Sequence, residues 1–424
     1  MKENLNRFVV KNCRRIILLV CFGFCTQVNA VTLSDHPKLQ SMANELIAEG
    51  IYAKFEIESL FSQATIQSSV IEAIQNPAEY KFTWGKYRKL FLQQDRIEKA
   101  VEFWREHEQA LLRAEAQYGV PVSIILAIIG VESKYGVFKG KHKVLDSLVS
   151  LVTGYPRRSD FFAGELKHFL ILTKENQMDA VNVYGSYAGA VGYPQFISSS
   201  YRNYAVDFSG DGKTDLIDQP VDAIGSIANY FVENGWLTGQ PITSNSHVNV
   251  PSAVSEKENT ERKILYSAAE LRNLGAPISG SIADSEKLNV LKLDINEEVT
   301  ETENGIYIVR AGDTACEIAE RYAMTCRSLF EANKLNSNGT IYRGQRLKVA
   351  ENKPIVATGN SNSGNWTIGN DAQIENGPQY RYFFTHENFY VITRYNHSVL
   401  YAMAVNDLSV AIDLEKQRQN QQQN

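Results

Sequence analysis

No apolar stretch in this chain is long enough to cross a bilayer, which takes about 20 residues. The oiliest segment near the start, Ile16 to Phe24, falls well short of that length. Positive charge is not in excess either: 43 Lys and Arg stand against 48 Asp and Glu, for a net charge of -5. That balance excludes the basic footprint a nucleic-acid partner requires. Cysteine is scarce, with five in 424 residues, and beyond residue 30 only Cys316 and Cys326 are left. Their closeness along the chain is compatible with a disulfide and equally with two small apolar fillers.

The segment before residue 30 has its own logic. Lys2, Arg7, Lys11, Arg14 and Arg15 precede the apolar run, and Val28-Asn29-Ala30 supplies small residues at a cleavage position. This is the pattern of a secretory signal peptide, residues 1–30. A lipid-anchored form would need a small residue before Cys21 or Cys25, where Val20 and Phe24 stand. Removing five basic residues and one acidic residue moves the net charge from -5 to -9. The expectation is a soluble periplasmic protein with no membrane span, in a compartment where disulfides persist.

A chain of this length exceeds one hydrophobic core, so several domains are expected. Residues 31–240 read as helical, with apolar residues at helical spacing in Leu39 to Ile51 and Val101 to Tyr118. The texture then shifts. Residues 241–303 mix polar stretches with β-prone runs such as Leu288 to Leu293, and 304–350 form a distinct unit. Residues 351–379 are poor in apolar side chains and read as a linker. Apolar content returns over 380–412, and the Gln- and Asn-rich residues 413–424 read as a disordered tail.

Within the helical region one segment stands out. Pro121 to Lys134 carries Ile124, Ile125, Leu126, Ile128, Ile129 and Val131 on nearly every face, with Pro at its start and Gly136 just past its end. Glu132 closes it. Burial and the negative end of the helix dipole both strengthen a carboxyl group's hold on its proton, and a protonated acid near neutral pH is what a glycosidic oxygen needs. By itself the pattern also fits a Glu that ends a helix facing solvent.

The run Ala127-Ile128-Ile129-Gly130-Val131-Glu132-Ser133-Lys134-Tyr135-Gly136 resembles the catalytic helix of the membrane-bound lytic transglycosylase B family. In the same order follow Gly154-Tyr155-Pro156-Arg157-Arg158, the block from Gly185 to Phe196, Val221 to Ser226, and Asn388 to Asn396. The resemblance implies a mainly α (α+β) fold: a lysozyme-like helical core, an N-terminal helical region and a small β-subdomain. It also implies cleavage of the MurNAc-β-1,4-GlcNAc bond of peptidoglycan with formation of 1,6-anhydro-MurNAc. Glu132 serves as acid and then as base in that scheme, without a cofactor. No second acid lies beside Glu132 in the matching blocks, although Asp146, Asp160 and Glu165 are near along the chain. By motif position, Ser186, Gln195 and Asn396 correspond to groups that bond the sugar or position Glu132. Phe196, Tyr230, Tyr395, Tyr401 and Tyr87 correspond to cleft walls, and Arg157 and Arg158 to partners for the substrate's carboxylates. The aromatics also fit a core, and the arginines a solvated pair. An inactive wall-binding scaffold and a hydrolytic muramidase are the rival functions.

Two further motifs extend the picture. Asp207, Ser209, Asp211, Lys213 (through its carbonyl) and Asp218 have the spacing of an EF-hand loop, with Gly212 at the sharp turn. A shorter Asp closes it in place of Glu. The related enzymes carry a calcium loop here, which implies a structural Ca²⁺; a plain Asp- and Gly-rich turn is the alternative. Residues 304–350 follow a βααβ pattern that resembles a LysM domain, a module that binds GlcNAc-containing glycan. Its strand–helix loops hold Gly312, Asp313 and Thr314, and the region Asn336 to Tyr342. Because the catalytic pattern resumes at 380, the module is expected to be inserted within that domain, on polar tethers that raise local concentration at the wall.

Overall fold

Helix Val122–Ser133 has no polar face, and every residue from Val122 to Gly130 is buried. Such a helix requires neighbours on all sides. The computed structural model describes residues 31–423 except 76–81, 245–246, 248, 260–263, 296–305, 310–313, 323, 337–338, 342–344 and 350–379. In it, helices Gln94–Glu106, Glu108–Tyr118, Pro220–Glu233 and Val399–Gln423 surround the apolar helix. Their inward residues, among them Ala100, Leu111, Ile227, Phe231, Met403 and Leu408, are 9% exposed or less, so they complete one core. Among the described residues no single helix is long and apolar enough to cross a membrane. Glu108–Tyr118 and Val122–Ser133 qualify only as a pair bent by 116°.

The apolar helix also needs a way out of the core. Gly119 ends the preceding helix in a left-handed conformation (φ 67°), and Pro121 then starts the new one in extended geometry. At the far end Lys134 (φ 49°), Tyr135 (φ 60°) and Gly136 (φ 84°) turn left-handed in succession. Gly136 is obligatory on two counts. Its φ disfavours any side chain, and a Cβ there would come within 2.3 Å of the Tyr193 ring.

A second core lies over helices Val144–Gly154 and Ser159–Glu175, against which Pro37–Ala48 and Ser68–Gln75 pack. The β-subdomain is a three-stranded antiparallel sheet in the order Tyr266–Ser267, Lys287–Asp294, Tyr380–Thr385. Its long pair runs in register from Asn289 opposite Thr385 to Asp294 opposite Tyr380. The chain therefore leaves this sheet at Asp294 and rejoins it at Tyr380.

Between those points lies a separate small unit. Strands Ile306–Ile308 and Arg346–Lys348 pair antiparallel, with helices Ala315–Arg321 and Cys326–Asn333 between them in sequence. Tyr307, Ile318, Tyr322, Leu329 and Leu347 form its own core. Cys316 and Cys326 are joined by a disulfide near the N-terminal ends of the two helices, with Cα atoms 4.6 Å apart. The expected signal segment 1–30 and the expected linker 351–379 lie outside the described residues.

One expectation is corrected. Residues 413–424 were expected to be disordered, yet helix Val399–Gln423 runs through them to Gln423. Its earlier turns are fixed in the core through Tyr401, Val405, Leu408 and Ile412. Extending a helix already nucleated costs little per residue, and the polar end finds partners. Glu415 is buried and accepts from Arg418 and Gln419, while Lys416 Nζ reaches Glu108 at 3.4 Å.

The disulfide closes a short loop in a module with a very small core. Replacing Cys316 and Cys326 by Ser in the full chain is expected to destabilise that unit by about 2–3 kcal/mol. Differential scanning calorimetry should show one transition falling while the transition of the large helical cores stays in place. Loss of both transitions together would show that the two parts unfold as one.

Candidate active site

Glu132 sits in the last turn of the apolar helix, where the core meets solvent, and is partly exposed. Ser133, the next residue, is buried and secures the helix end. Its hydroxyl donates to Ile129 O at 3.2 Å and accepts from Gly136 N at 3.1 Å. Gly130 lies one turn earlier, and a Cβ on it would lie 2.4 Å from the Tyr135 hydroxyl. The turn carrying Glu132 is therefore tightly constrained.

The partner of Glu132 comes from the other end of the chain. Tyr401 donates its phenol hydrogen to Glu132 Oε1 at 2.6 Å. The Tyr401 side chain is buried, and desolvation, followed by the nearby Glu132 charge, pushes its hydroxyl well above the usual tyrosine range. It thus remains a donor. Tyr395 stacks on Tyr401 with ring planes 12° apart and gives its hydroxyl to Pro194 O at 2.5 Å. Burial first, and then the Glu132 charge, raises the Tyr395 hydroxyl as well. Phe196 and Tyr230 pack on Tyr395 at centroid distances of 5.7 and 4.9 Å, and Tyr230 donates to Arg394 O at 2.8 Å.

These side chains form a layer behind the carboxylate, with Phe196, Tyr230 and Tyr401 each 8% exposed or less. Tyr87, expected at a cleft wall, is 1% exposed among Phe82 and Phe91. It is a core residue that supports Tyr401, and this corrects its expected place. A side chain without solvent access offers no face to a sugar, and the same burial moves Phe196, Tyr230 and Tyr401 from the expected cleft wall to the layer that supports it.

Ser186 and Gln195 occupy the loop after the short strand Tyr184–Gly185. The Ser186 hydroxyl accepts from Ala188 N and Ala190 N at 3.2 and 3.1 Å, which folds the glycine-rich turn and leaves its own hydrogen to give. Gln195 adopts φ 48° and spends its amide hydrogens on Gly192 O and Lys139 O at 2.9 and 3.2 Å. Its side-chain oxygen faces no such donor among the described residues. Asn396 lies in extended conformation just after helix Glu387–Tyr395, and its partly exposed side chain bonds no described residue. Arg157 and Arg158 are exposed on the turn Pro156–Arg158, with Arg158 over the Phe161 ring at 4.0 Å.

The nearby acids are engaged elsewhere. Asp146 is buried and accepts from Thr65 N and Oγ1, Glu165 accepts from Ser199 N, and Asp160 pairs with Lys38 on the surface. None of these contacts involves Glu132. In the small unit Thr314 is exposed, whereas Gly312 and Asp313 lie outside the described residues.

The acidic loop after Tyr204 departs from the expected metal geometry. Asp207 accepts from Ser209 Oγ and from the amides of Gly210, Asp211 and Gly212; desolvation is the largest single influence and raises its carboxyl, but these bonds together outweigh it and hold the group below the usual range. Asp211 accepts from Lys213 N, and Asp218 is paired with Lys139 Nζ at 3.0 Å. Among the described residues no three acidic, His or Cys side chains converge on one point. As arranged, the acidic side chains of the set Asp207, Ser209, Asp211, Lys213 and Asp218 do not converge: Asp218 is drawn off by Lys139, and Asp207 and Asp211 hold the amides of the loop itself. The acid beneath it is Asp222, fully buried, which accepts from Ser209 N at 2.7 Å and Asp215 N at 2.9 Å. Sequence spacing counted only twelve positions and so missed it, although Asp222 lies in the quoted Val221 to Ser226 block. Ser133, Tyr193 and Lys139 were missed too, since no spacing rule marks a residue that shapes a turn from the far side.

A mainly helical, lysozyme-like body with one carboxyl group at the end of its buried helix and an aromatic layer behind it defines a glycan-cleaving enzyme. Residues 34–308 match the transglycosylase SLT domain and residues 307–350 the LysM domain. Membrane-bound lytic murein transglycosylase B of Escherichia coli (strain K12) is 31% identical over 392 residues, 90% of this chain and 84% of that protein. The crystal structure of soluble lytic transglycosylase SltB1 from Pseudomonas aeruginosa superposes with a TM-score of 0.64 at 32% identity, over 88% of this chain and 97% of that one. The Escherichia coli lytic transglycosylase Slt35, solved in complex with calcium, gives 0.65 at 31%, over 91% and 95%. The chain belongs to the SLT-domain lytic murein transglycosylases, lyases that cleave peptidoglycan.

Tyr401→Phe keeps the ring stack and removes one hydrogen bond to Glu132. A bond to an ionisable group contributes about 1.5–3 kcal/mol, so glycan cleavage is expected to fall about 10- to 100-fold with the fold intact by circular dichroism. Unchanged turnover on purified sacculi would show that the contact does not matter for the reaction.

Proposed function

We propose that Glu132 performs both proton transfers of the reaction. It first protonates the bridging oxygen of the MurNAc–GlcNAc bond, and the C1–oxygen bond breaks as that proton is transferred. The same carboxylate then removes the hydrogen of the sugar's own C6 hydroxyl while that oxygen bonds C1. The product is the 1,6-anhydro ring. Because the nucleophile belongs to the substrate, no paired acid is needed, unlike glycosidases that use two carboxylates. The observation that carries this reading is the Tyr401–Glu132 contact at the end of a rigid buried helix. It fixes the carboxyl orientation, while the engaged state of Asp146, Asp160 and Glu165 leaves none of them as a second acid.

The remaining roles follow from the polar atoms left over. The Ser186 hydroxyl can donate and the Gln195 side-chain oxygen can accept, a pair suited to an acetamido group. Asn396 offers both functions. Phe196, Tyr230 and Tyr395 back the site, and Tyr401 orients Glu132. Arg157 and Arg158 are free to meet carboxylates of the peptide stems. The LysM unit, entered and left through the β-subdomain, binds glycan and keeps the enzyme on its polymer. Work on the cell wall, together with the basic and apolar start of the chain, supports a periplasmic location.

The loop 207–218 supports at most a structural calcium. Binding there has to draw Lys139 away from Asp218, which weakens it. Melting temperature in millimolar calcium and in chelator is expected to agree within a few degrees. A rise of about 10 °C would mean that the loop reorganises round the ion.

The central test is Glu132→Gln. Wild-type protein digesting sacculi should release anhydro-muropeptides by mass spectrometry, and the variant should lose about 10³-fold or more of that release. Reducing ends as the product would establish hydrolysis by water, and undiminished release by the variant would place the chemistry elsewhere.

A further inference from the structure

Three side chains in the β-subdomain, far along the chain from one another and unused by the glycan chemistry, meet in a row. Ser244 lies on the segment that runs antiparallel beside strand Tyr380–Thr385, its amide bonded to Phe384 O at 2.8 Å. His386 follows that strand directly, and its amide bonds back to Ile242 O at 3.0 Å. Glu286 immediately precedes strand Lys287–Asp294. The Ser244 hydroxyl is 2.7 Å from His386 Nε2, and His386 Nδ1 is 2.6 Å from Glu286 Oε1. The His386 side chain is 2% exposed and that of Glu286 24%, while Ser244 is half-buried. A carboxylate can only accept at Nδ1, so Nδ1 carries the ring hydrogen and Nε2 is left to accept from the Ser244 hydroxyl. Desolvation lowers the His386 proton affinity more than Glu286 restores it, so the ring is neutral and able to take a proton.

Nucleophile, base and orienting acid are therefore aligned by both hydrogen bonds that acyl transfer requires. We propose that Ser244, His386 and Glu286 form a second active centre, one that transfers short acyl groups from esters to water. In the first step Ser244 Oγ bonds the acyl carbon and its proton passes to His386 Nε2. The ester C–O bond then breaks, and the leaving alcohol takes that proton. Water, deprotonated by the same nitrogen, next attacks the acyl-serine; Ser244 recovers its hydrogen and the carboxylic acid departs. Because Ser244 is half-buried at a sheet edge, the proposed substrate is an ester with a short acyl group. The Ser244 amide is committed to Phe384 O and cannot receive an oxyanion. Turnover should therefore be about 10²–10³ below that of a site with a full set of donors.

Covalent labelling is the decisive readout, because it needs only the activated nucleophile. The full-length protein is treated with a fluorophosphonate, in which Ser244 Oγ bonds phosphorus as fluoride leaves, and the adduct is located by peptide mass spectrometry. Hydrolysis of p-nitrophenyl acetate is measured in parallel on the wild type and on Glu132→Gln, which separates this centre from the glycan site. Expected are an adduct on Ser244, equal ester hydrolysis by the wild type and Glu132→Gln, and loss of both signals in Ser244→Ala. Glu286→Gln, which keeps the volume and removes the charge, should lower kcat at least tenfold with KM little changed. Absence of a Ser244 adduct on the folded wild type overturns the proposal, as does ester hydrolysis at the wild-type rate by Ser244→Ala. The first of these needs no variant, so a folding defect cannot mask it.

Discussion

Glu132 and Tyr401 are far apart in sequence and 2.6 Å apart in space, and most of the molecule serves to keep them so. The apolar helix Val122–Ser133 cannot exist outside a core, and the core it enters is closed by helix Val399–Gln423, which carries Tyr401. Hydrophobic burial is non-directional and fixes no hydrogen-bond angle. Direction comes from the left-handed turn Lys134–Gly136, from Ser133 bonding across that turn, and from stacked Tyr395 holding Tyr401. The carboxyl group stands where a greasy interior ends and polar substrate can begin.

That dependence explains the domain arrangement. Residues that complete the catalytic core come from the last quarter of the chain, after the LysM unit, through strand Tyr380–Thr385. The small unit can be placed between Asp294 and Tyr380 because those residues are paired neighbours in the sheet. An insertion whose ends lie together leaves the host's packing alone. The disulfide serves only the inserted unit, whose few core residues need the support.

The same subdomain holds the Ser244–His386–Glu286 row. Its three members are held by the sheet that joins the C-terminal segment to the body, so the geometry comes with the architecture. The acidic loop gives the opposite lesson: correct spacing, yet Asp207 is turned to the loop's own amides and Asp218 to Lys139.

Periodicity was enough to read the helical body, the all-round apolar helix and the βααβ unit, because each depends on neighbours along the chain, whereas Glu132 was singled out only by its resemblance to a family motif. The Gln- and Asn-rich end was misjudged, since composition describes a segment by itself and not the helix already docked before it. Tyr87, Phe196, Tyr230 and Tyr401 were placed at cleft walls when they are interior, because an aromatic residue suits either setting until its surroundings exist. Asp222 under the loop, Tyr193 against Gly136 and the meeting of Ser244 with His386 and Glu286 depend on packing between distant segments. Sequence by itself determined which residues had chemistry to offer and which helix had to be buried; only tertiary structure decided which polar atoms were left free to use it, because a hydrogen-bonding group is spent or available according to partners that the fold brings from elsewhere.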